Sequence, residues 1–165
     1  MLVRYYVELW RQAEAVASVL RREPQAWLPM LVQDSSRRGL EMVARVGLPV
    51  GPIRLDREVT VTVSAARQLG DTWVIPIAWT PTSLQSMVPS VDGDLEVSAL
   101  GPERTQLAIS ARYQPPLGWL GALTDRALMR RVAEATMKDF LDHVALGIET
   151  ELALSSPAAI HVVGN

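Results

Sequence analysis

The sequence predicts an α+β fold: a strongly curved antiparallel β-sheet wrapped around one long C-terminal helix, with two short helices between the first and second strands. Three observations carry this. Runs of alternating apolar and polar residues recur from Val3 to Tyr113, the period-two signature of half-buried strands. The stretch Gln114-Pro115-Pro116-Leu117-Gly118-Trp119-Leu120-Gly121 ends that pattern, because paired prolines cannot continue a sheet ladder. From Ala122 to about Leu152 the apolar residues then recur at helical spacing. A sheet followed by a single long helix has few compact solutions, and a cupped sheet gripping the helix around an apolar hollow is the simplest.

The first strand covers residues 2–10, with Val3, Tyr5, Val7 and Leu9 on one face and Arg4, Tyr6, Glu8 and Trp10 on the other. Ala13, Val16, Ala17 and Leu20 mark a short helix, ended by Pro24. Gln25 to Val32 reads as a second short helix or turn, disturbed by Pro29, and Asp34-Ser35-Ser36 as a loop. Leu40, Met42, Ala44 and Val46 share a face of the second strand, and Gly47 to Gly51 make the following turn. Val59, Val61, Val63 and Ala65 define the third strand, closed by a hairpin signal at Gly70-Asp71. Trp73, Ile75, Ile77 and Trp79 define the fourth, where Pro76 predicts an edge position or a bulge. Pro81 to Ser90 is a longer connection. Asp92-Gly93 leads into the fifth strand (Leu95, Val97, Ala99), and Gly101-Pro102 turns into the sixth (Leu107, Ile109, Ala111, Tyr113).

Thr124 or Asp125 suits the N-cap of the long helix. Its stripe is Met129, Val132, Ala133, Thr136, Met137, Phe140, Leu141, Val144 and Ile148. At 1.5 Å per residue it is on the order of 45 Å long, more than its partner strands need, so its last turns are expected to project or fray. Residues 1–153 read as one domain and 154–165 as a tail, either disordered or adding a short strand through Ile160-His161-Val162-Val163.

This order of elements, with Tyr113-Gln114-Pro115-Pro116-Leu117-Gly118, Gly121, Asp125 and an Ala-rich helix ending in Phe140-Leu141, resembles the START/polyketide-cyclase superfamily. Its helix-grip fold is shared with the birch-pollen-allergen family. Val74-Ile75-Pro76-Ile77-Ala78-Trp79 and Asp92-Gly93-Asp94-Leu95 resemble bacterial members, and the likeness covers roughly residues 2–150. Seven strands are typical of the superfamily, whereas alternation alone gives six here. Either two strands are merged or Thr80 to Val91 hides a short one. The resemblance implies binding of an apolar molecule, and places the loop with Leu117, Trp119 and Leu120 near a pocket entrance, as a gate or as a staple for the helix.

Composition narrows the function further. The 165 residues are 48% hydrophobic, with 16 basic against 18 acidic side chains and no cysteine. That balance leaves no electrostatic footprint for nucleic acid, and no run is long enough to insert stably in a membrane. Met1 to Trp10 does not read as a secretory leader, which makes the cytoplasm the expected compartment. His143 and His161 stand far apart with no thiol to join, so no metal is expected. Asp92, Asp94, Glu96 and Glu103 mimic a calcium loop, but Val97 occupies the place of the required glycine. They fit a solvated strand face better.

No nucleophile motif is present and no cofactor is expected. His143 is either a flank residue of the helix or a proton carrier reaching inward. Arg57 has the parity of Val59, so it is turned out by a bulge near Asp56 or placed at the rim, or is met by a carboxylate, or meets a ligand oxygen. Trp79 and Tyr113 combine an apolar body with a polar handle, while Met42, Met129 and Met137 are adaptable wall or filler residues. With Trp119 and Phe140, these eight are the candidate ligand-binding residues. The leading expectation is a noncatalytic binder or carrier of an apolar or amphipathic molecule, lipid or polyketide-like. The alternatives are a cyclase, aromatase or dehydratase using His143, Tyr113 or Arg57, and an interaction module or homodimer presenting Trp119.

Overall fold

The structure of the protein, a computed structural model, describes residues 1–28, 41–50, 53–81, 89–115 and 126–155, with the backbone alone for 41–50, 53–58, 126, 128 and 129. The elements run β1 (Leu2–Leu9), α1 (Ala13–Leu20), α2 (Pro24–Trp27), β2 (Glu41–Val50), β3 (Ile53–Val63), β4 (Arg67–Leu69), β5 (Thr72–Pro81), β6 (Ser90–Gly101), β7 (Arg104–Gln114) and α3 (Arg126–Ser155). The sheet has the order β1-β7-β6-β5-β3-β2, with β4 alongside β5, and every pairing is antiparallel.

The seventh strand is β4, between the third and fourth of the sequence reading. Its three residues are all exposed, so no face alternates and periodicity has nothing to register. After Val63 the chain leaves the ladder, then returns to β5 through Arg67↔Val74 and the turn at Gly70, whose φ is 61°. This break also explains Pro76. The expected edge position is wrong, since β5 lies inside the sheet. Pro76 falls between the β3 ladder, which ends at Val63↔Ile77, and the β4 ladder, which begins at Arg67↔Val74. Its carbonyl accepts from Ser64 N at 2.9 Å, and its missing N–H faces the same gap, where no ladder bond is lost.

Two boundaries also move. Gly47 to Val50 belong to β2, which pairs through to Val50↔Ile53; Pro49 is tolerated because β2 is an edge. Asp92 and Gly93 lie inside β6 rather than before it. A Cβ at Gly93 would stand 2.4 Å from Ser110 O and 2.6 Å from the Ala111 Cβ. Only glycine lets β6 and β7 approach this closely, which is how a sheet bends sharply across its middle.

The helix supplies the other half of the core. Ala133, Thr136, Met137, Phe140, Leu141, Val144 and Ile148 are all buried, and the Thr136 hydroxyl is satisfied by donating to Val132 O at 2.8 Å. At the backbone level α3 lies against β1 and β7 at one side of the sheet and β2 at the other. The sheet therefore arches over the helix, and its middle strands reach it through large side chains. The last turns of α3 are held rather than frayed: Arg11 meets Glu149 at 2.7 Å, and Arg22 meets Glu151 at 3.1 Å and Ser155 Oγ at 3.2 Å.

Helices α1 and α2 close one end of the arch. Val16, Val19 and Leu20 of α1 are buried and the helix packs on β6 and β7. Glu14 clamps this end by accepting from Arg21 at 2.6 Å and from Trp73 Nε1 at 3.3 Å, while the Arg21 guanidinium stands 4.5 Å from the Trp73 ring centroid. Behind it, the main chain of Trp27 rests directly on α3 at Gly147, where a Cβ would come within 2.2 Å of Trp27 O.

Candidate functional site

The opposite end of the arch holds the candidate site. Following the register across the sheet, Met42 lies opposite Val61, Val61 opposite Trp79, Trp79 opposite Val91 and Val91 opposite Tyr113. Met1 completes the row, since Tyr113 N donates to Met1 O at 2.8 Å and the Met1 amine donates to Tyr113 O at 2.9 Å. One transverse row thus aligns three of the eight sequence candidates, drawn from three strands. Trp79 and Tyr113 sit near the ends of their strands, where the chain leaves the sheet toward residues 82–88 and 116–125. From the helix, Phe140 meets Trp79 with ring centroids 4.9 Å apart at 44°, and Met137 is buried one turn earlier.

The polar handles of this row are its distinguishing feature. Trp79 is 1% exposed, and its Nε1 finds no hydrogen-bond acceptor among the described residues. An unmet buried donor costs about 1–3 kcal/mol, so an atom that accepts from it would recover that cost. Tyr113 is 2% exposed, and burial pushes its phenol up to about 12. The hydroxyl is therefore neutral over the physiological range and able both to donate and to accept. The two aromatic residues are two strand spacings apart, about 10 Å. A molecule of that length can touch both. Trp27 carries a second buried indole N–H without an acceptor among the described residues, but at the closed end, where its main chain meets Gly147.

The remaining candidates divide by position. The β2–β3 ladder runs from Glu41↔Thr62 to Val50↔Ile53 without a register shift, so there is no bulge at Asp56. Arg57 pairs with Val46 and keeps step with Val59 and Val61. It lies beyond Pro81, the last β5 residue, which pairs with Val59, and thus on the part of β3 that extends past the body of the sheet. Met42 and Met129 are placed by backbone alone, and Trp119, with Leu117 and Leu120, lies outside the described residues. His143 is turned to its own helix: Nδ1 is 2.7 Å from Asp139 O, which as a carbonyl can only accept, so Nδ1 carries the proton. Asp94 and Glu96 stand toward the basic residues of the outer face, Arg67 at 3.9 Å and Arg4 at 3.1 Å, and Glu103 accepts from Gln12 at 2.8 Å.

Sequence reasoning missed Val61 and Val91, which complete the row, and the lack of an acceptor for the Trp79 indole among the described residues. Neither leaves a local signal, because the first follows from the exact register between strands and the second from the packing around the indole.

No protein-family model matches the chain, and no curated protein sequence matches it. Solved structures do. A conserved protein from Geobacillus kaustophilus is similar with a TM-score of 0.58 at 15% identity, covering 91% of this chain and 96% of its own. A START superfamily protein from Mycobacterium smegmatis gives 0.54 at 16%, covering 94% and 99%. The Zhui aromatase/cyclase from a Streptomyces species gives 0.53 at 18%, covering 93% of each chain. At these identities the likeness establishes the fold: this chain has the START-like helix-grip architecture.

Proposed function

We propose that the protein binds an apolar or amphipathic small molecule between sheet and helix, at the Met42–Trp79–Tyr113 row, and that the molecule carries a hydrogen-bond acceptor. The observation that carries this reading is the Trp79 indole N–H, buried and without an acceptor among the described residues, on a largely apolar wall. Desolvation supplies most of the affinity. Burying roughly 300 Å² of ligand surface at about 25 cal/mol/Å² gives a gross term on the order of 7 kcal/mol, and association costs reduce this to about micromolar binding. Trp79 and Tyr113 orient the molecule, and Arg57 at the rim suits an anionic or carbonyl group. Lipid-like and polyketide-like ligands both meet these requirements.

The fold supports this reading, since among the structures that share it are a START superfamily protein and an aromatase/cyclase. Chemistry of the cyclase type would draw its proton carrier from His143, Tyr113 or Arg57, and the His143 Nδ1 is engaged by Asp139 O of its own helix. In this reading the protein works in the cytoplasm without nucleic acid or cofactor. No helix among the described residues is long and apolar enough to cross a membrane.

The test is fluorescence titration of the full chain with a naphthalenesulfonate dye, whose sulfonate oxygens are acceptors. Binding of micromolar order is expected, weakened about three- to tenfold in Trp79→Phe, the value of one hydrogen bond, and unchanged in Trp27→Phe. Equal affinity in all three proteins would refute the assignment of Trp79.

A further inference from the structure

Strand β1 is an edge of the sheet, and its outer surface is written in a self-complementary order. Leu2, Arg4, Tyr6, Glu8 and the following Trp10 are all exposed; Leu2 at 75%, Tyr6 at 57% and Trp10 at 74% are large apolar groups left in water. Main-chain bonds join Met1 to Tyr113 in both directions. In an antiparallel ladder such hydrogen-bonded pairs alternate, so Val3, Tyr5, Val7 and Leu9 also bond to β7. The N–H and C=O groups of Leu2, Arg4, Tyr6 and Glu8 therefore point away from the sheet, along the open edge. Among the described residues nothing bonds to them.

We infer that β1 is a homodimer interface, in which a second copy of this chain pairs antiparallel with β1 about a two-fold axis through Tyr6. The register favoured by the side chains is one that the main chain admits. Two-fold pairing about Tyr6 sets Tyr6 against the partner's Tyr6, Arg4 against the partner's Glu8, and Leu2 against the partner's Trp10. Leu2, Arg4, Tyr6 and Glu8 are also residues whose main-chain groups face the edge, so the ladder closes with the side chains matched. Aromatic, opposite-charge and apolar cross-strand pairs are all favourable. Moving the axis to Arg4 or to Glu8 sets like charges directly opposite, which is unfavourable. Charges on an edge strand ordinarily repel a second strand; here their opposite signs at symmetric positions favour the register about Tyr6 and disfavour those about Arg4 and Glu8. Arg4 also reaches Glu96 at 3.1 Å and Glu8 reaches Arg104 at 3.8 Å, which holds both side chains on the outer surface where the partner meets them. The assembly is isologous and closed, with the two sheets continuous across the axis.

Sedimentation equilibrium of the full chain over roughly 1–100 μM tests this, a range that brackets a micromolar dissociation constant. A dimer is expected. Arg4→Glu and Glu8→Arg each place like charges opposite one another twice and are expected to weaken it about tenfold, and the double charge swap is expected to recover the loss. Tyr6→Pro removes an edge donor without removing a β1–β7 bond. It should give a folded monomer whose circular dichroism matches the wild type and whose melting, unlike that of the dimer, is independent of concentration. A wild-type chain monomeric throughout, with the edge left to residues 156–165 or to no strand, overturns the inference. So does a dimer indifferent to Tyr6→Pro, or a double swap weaker than both single variants.

Discussion

Trp79 and Tyr113 show how a residue can be core and candidate site at once. Both fill space, yet each brings a polar atom to a largely apolar wall, and the Trp79 indole N–H finds no acceptor there among the described residues. For Trp79, replacement by Phe removes the unmet donor as well as ring volume. The two effects oppose, so stability in urea is expected to change by no more than about 1 kcal/mol while dye affinity falls. For Tyr113, the sign of the pH effect is fixed by its raised pKa. The folded protein keeps the phenol proton up to about 12, whereas the unfolded chain loses it near 10. Between these values the unfolded state is favoured by deprotonation. The contribution is intact below pH 10 and is lost as pH rises toward 12, a drop of about 2–3 kcal/mol. Urea melts at pH 9 and near pH 12 should show this loss in wild type relative to Tyr113→Phe, and equal pH dependence in the two proteins would contradict it.

At the scale of elements, two glycines set the shape. Gly147 is where α2 meets α3. In an open helix interior Gly→Ala stabilises by about 1 kcal/mol, but a Cβ 2.2 Å from Trp27 O forces α2 outward. Gly147→Ala is therefore expected to destabilise by about 2–3 kcal/mol in urea, and the reversal of sign is the diagnostic. Gly93→Ala is expected to cost a similar amount, by pushing β6 from Ser110 and Ala111 of β7. These two also mark what the sequence could show. Strands with one wet face, such as the segments around Val61, Ile75 and Ile109, were legible from alternation alone. Strand β4 was not, because Arg67, Gln68 and Leu69 are all exposed, and Gly93 read as a turn because close strand approach leaves the same residue type as a bend. Pro76 signalled a real interruption, but the interruption lies in the neighbouring strands rather than at an edge.

For the whole molecule, the arch of sheet over helix follows from α3 touching β1 and β7 on one side and β2 on the other. The sequence carried the order of elements and the stripe of α3, and so the fold. It could not carry the alignment of Met42, Trp79 and Tyr113, since that depends on the exact register of four successive strand pairings. The two ends of the arch differ in kind: one is clamped by Glu14, Arg21 and Trp73, while the other presents the paired polar handles.

The most direct measurement is the ¹H–¹⁵N spectrum of the indole groups, with methionine methyl resonances, during titration with the naphthalenesulfonate dye. Binding between sheet and helix should move the Trp79 indole and the Met137 methyl together, leaving the Trp10 indole on the outer edge unchanged. Shifts confined to Trp10, with Trp79 and Met137 still, would place the dye on the surface and contradict the account.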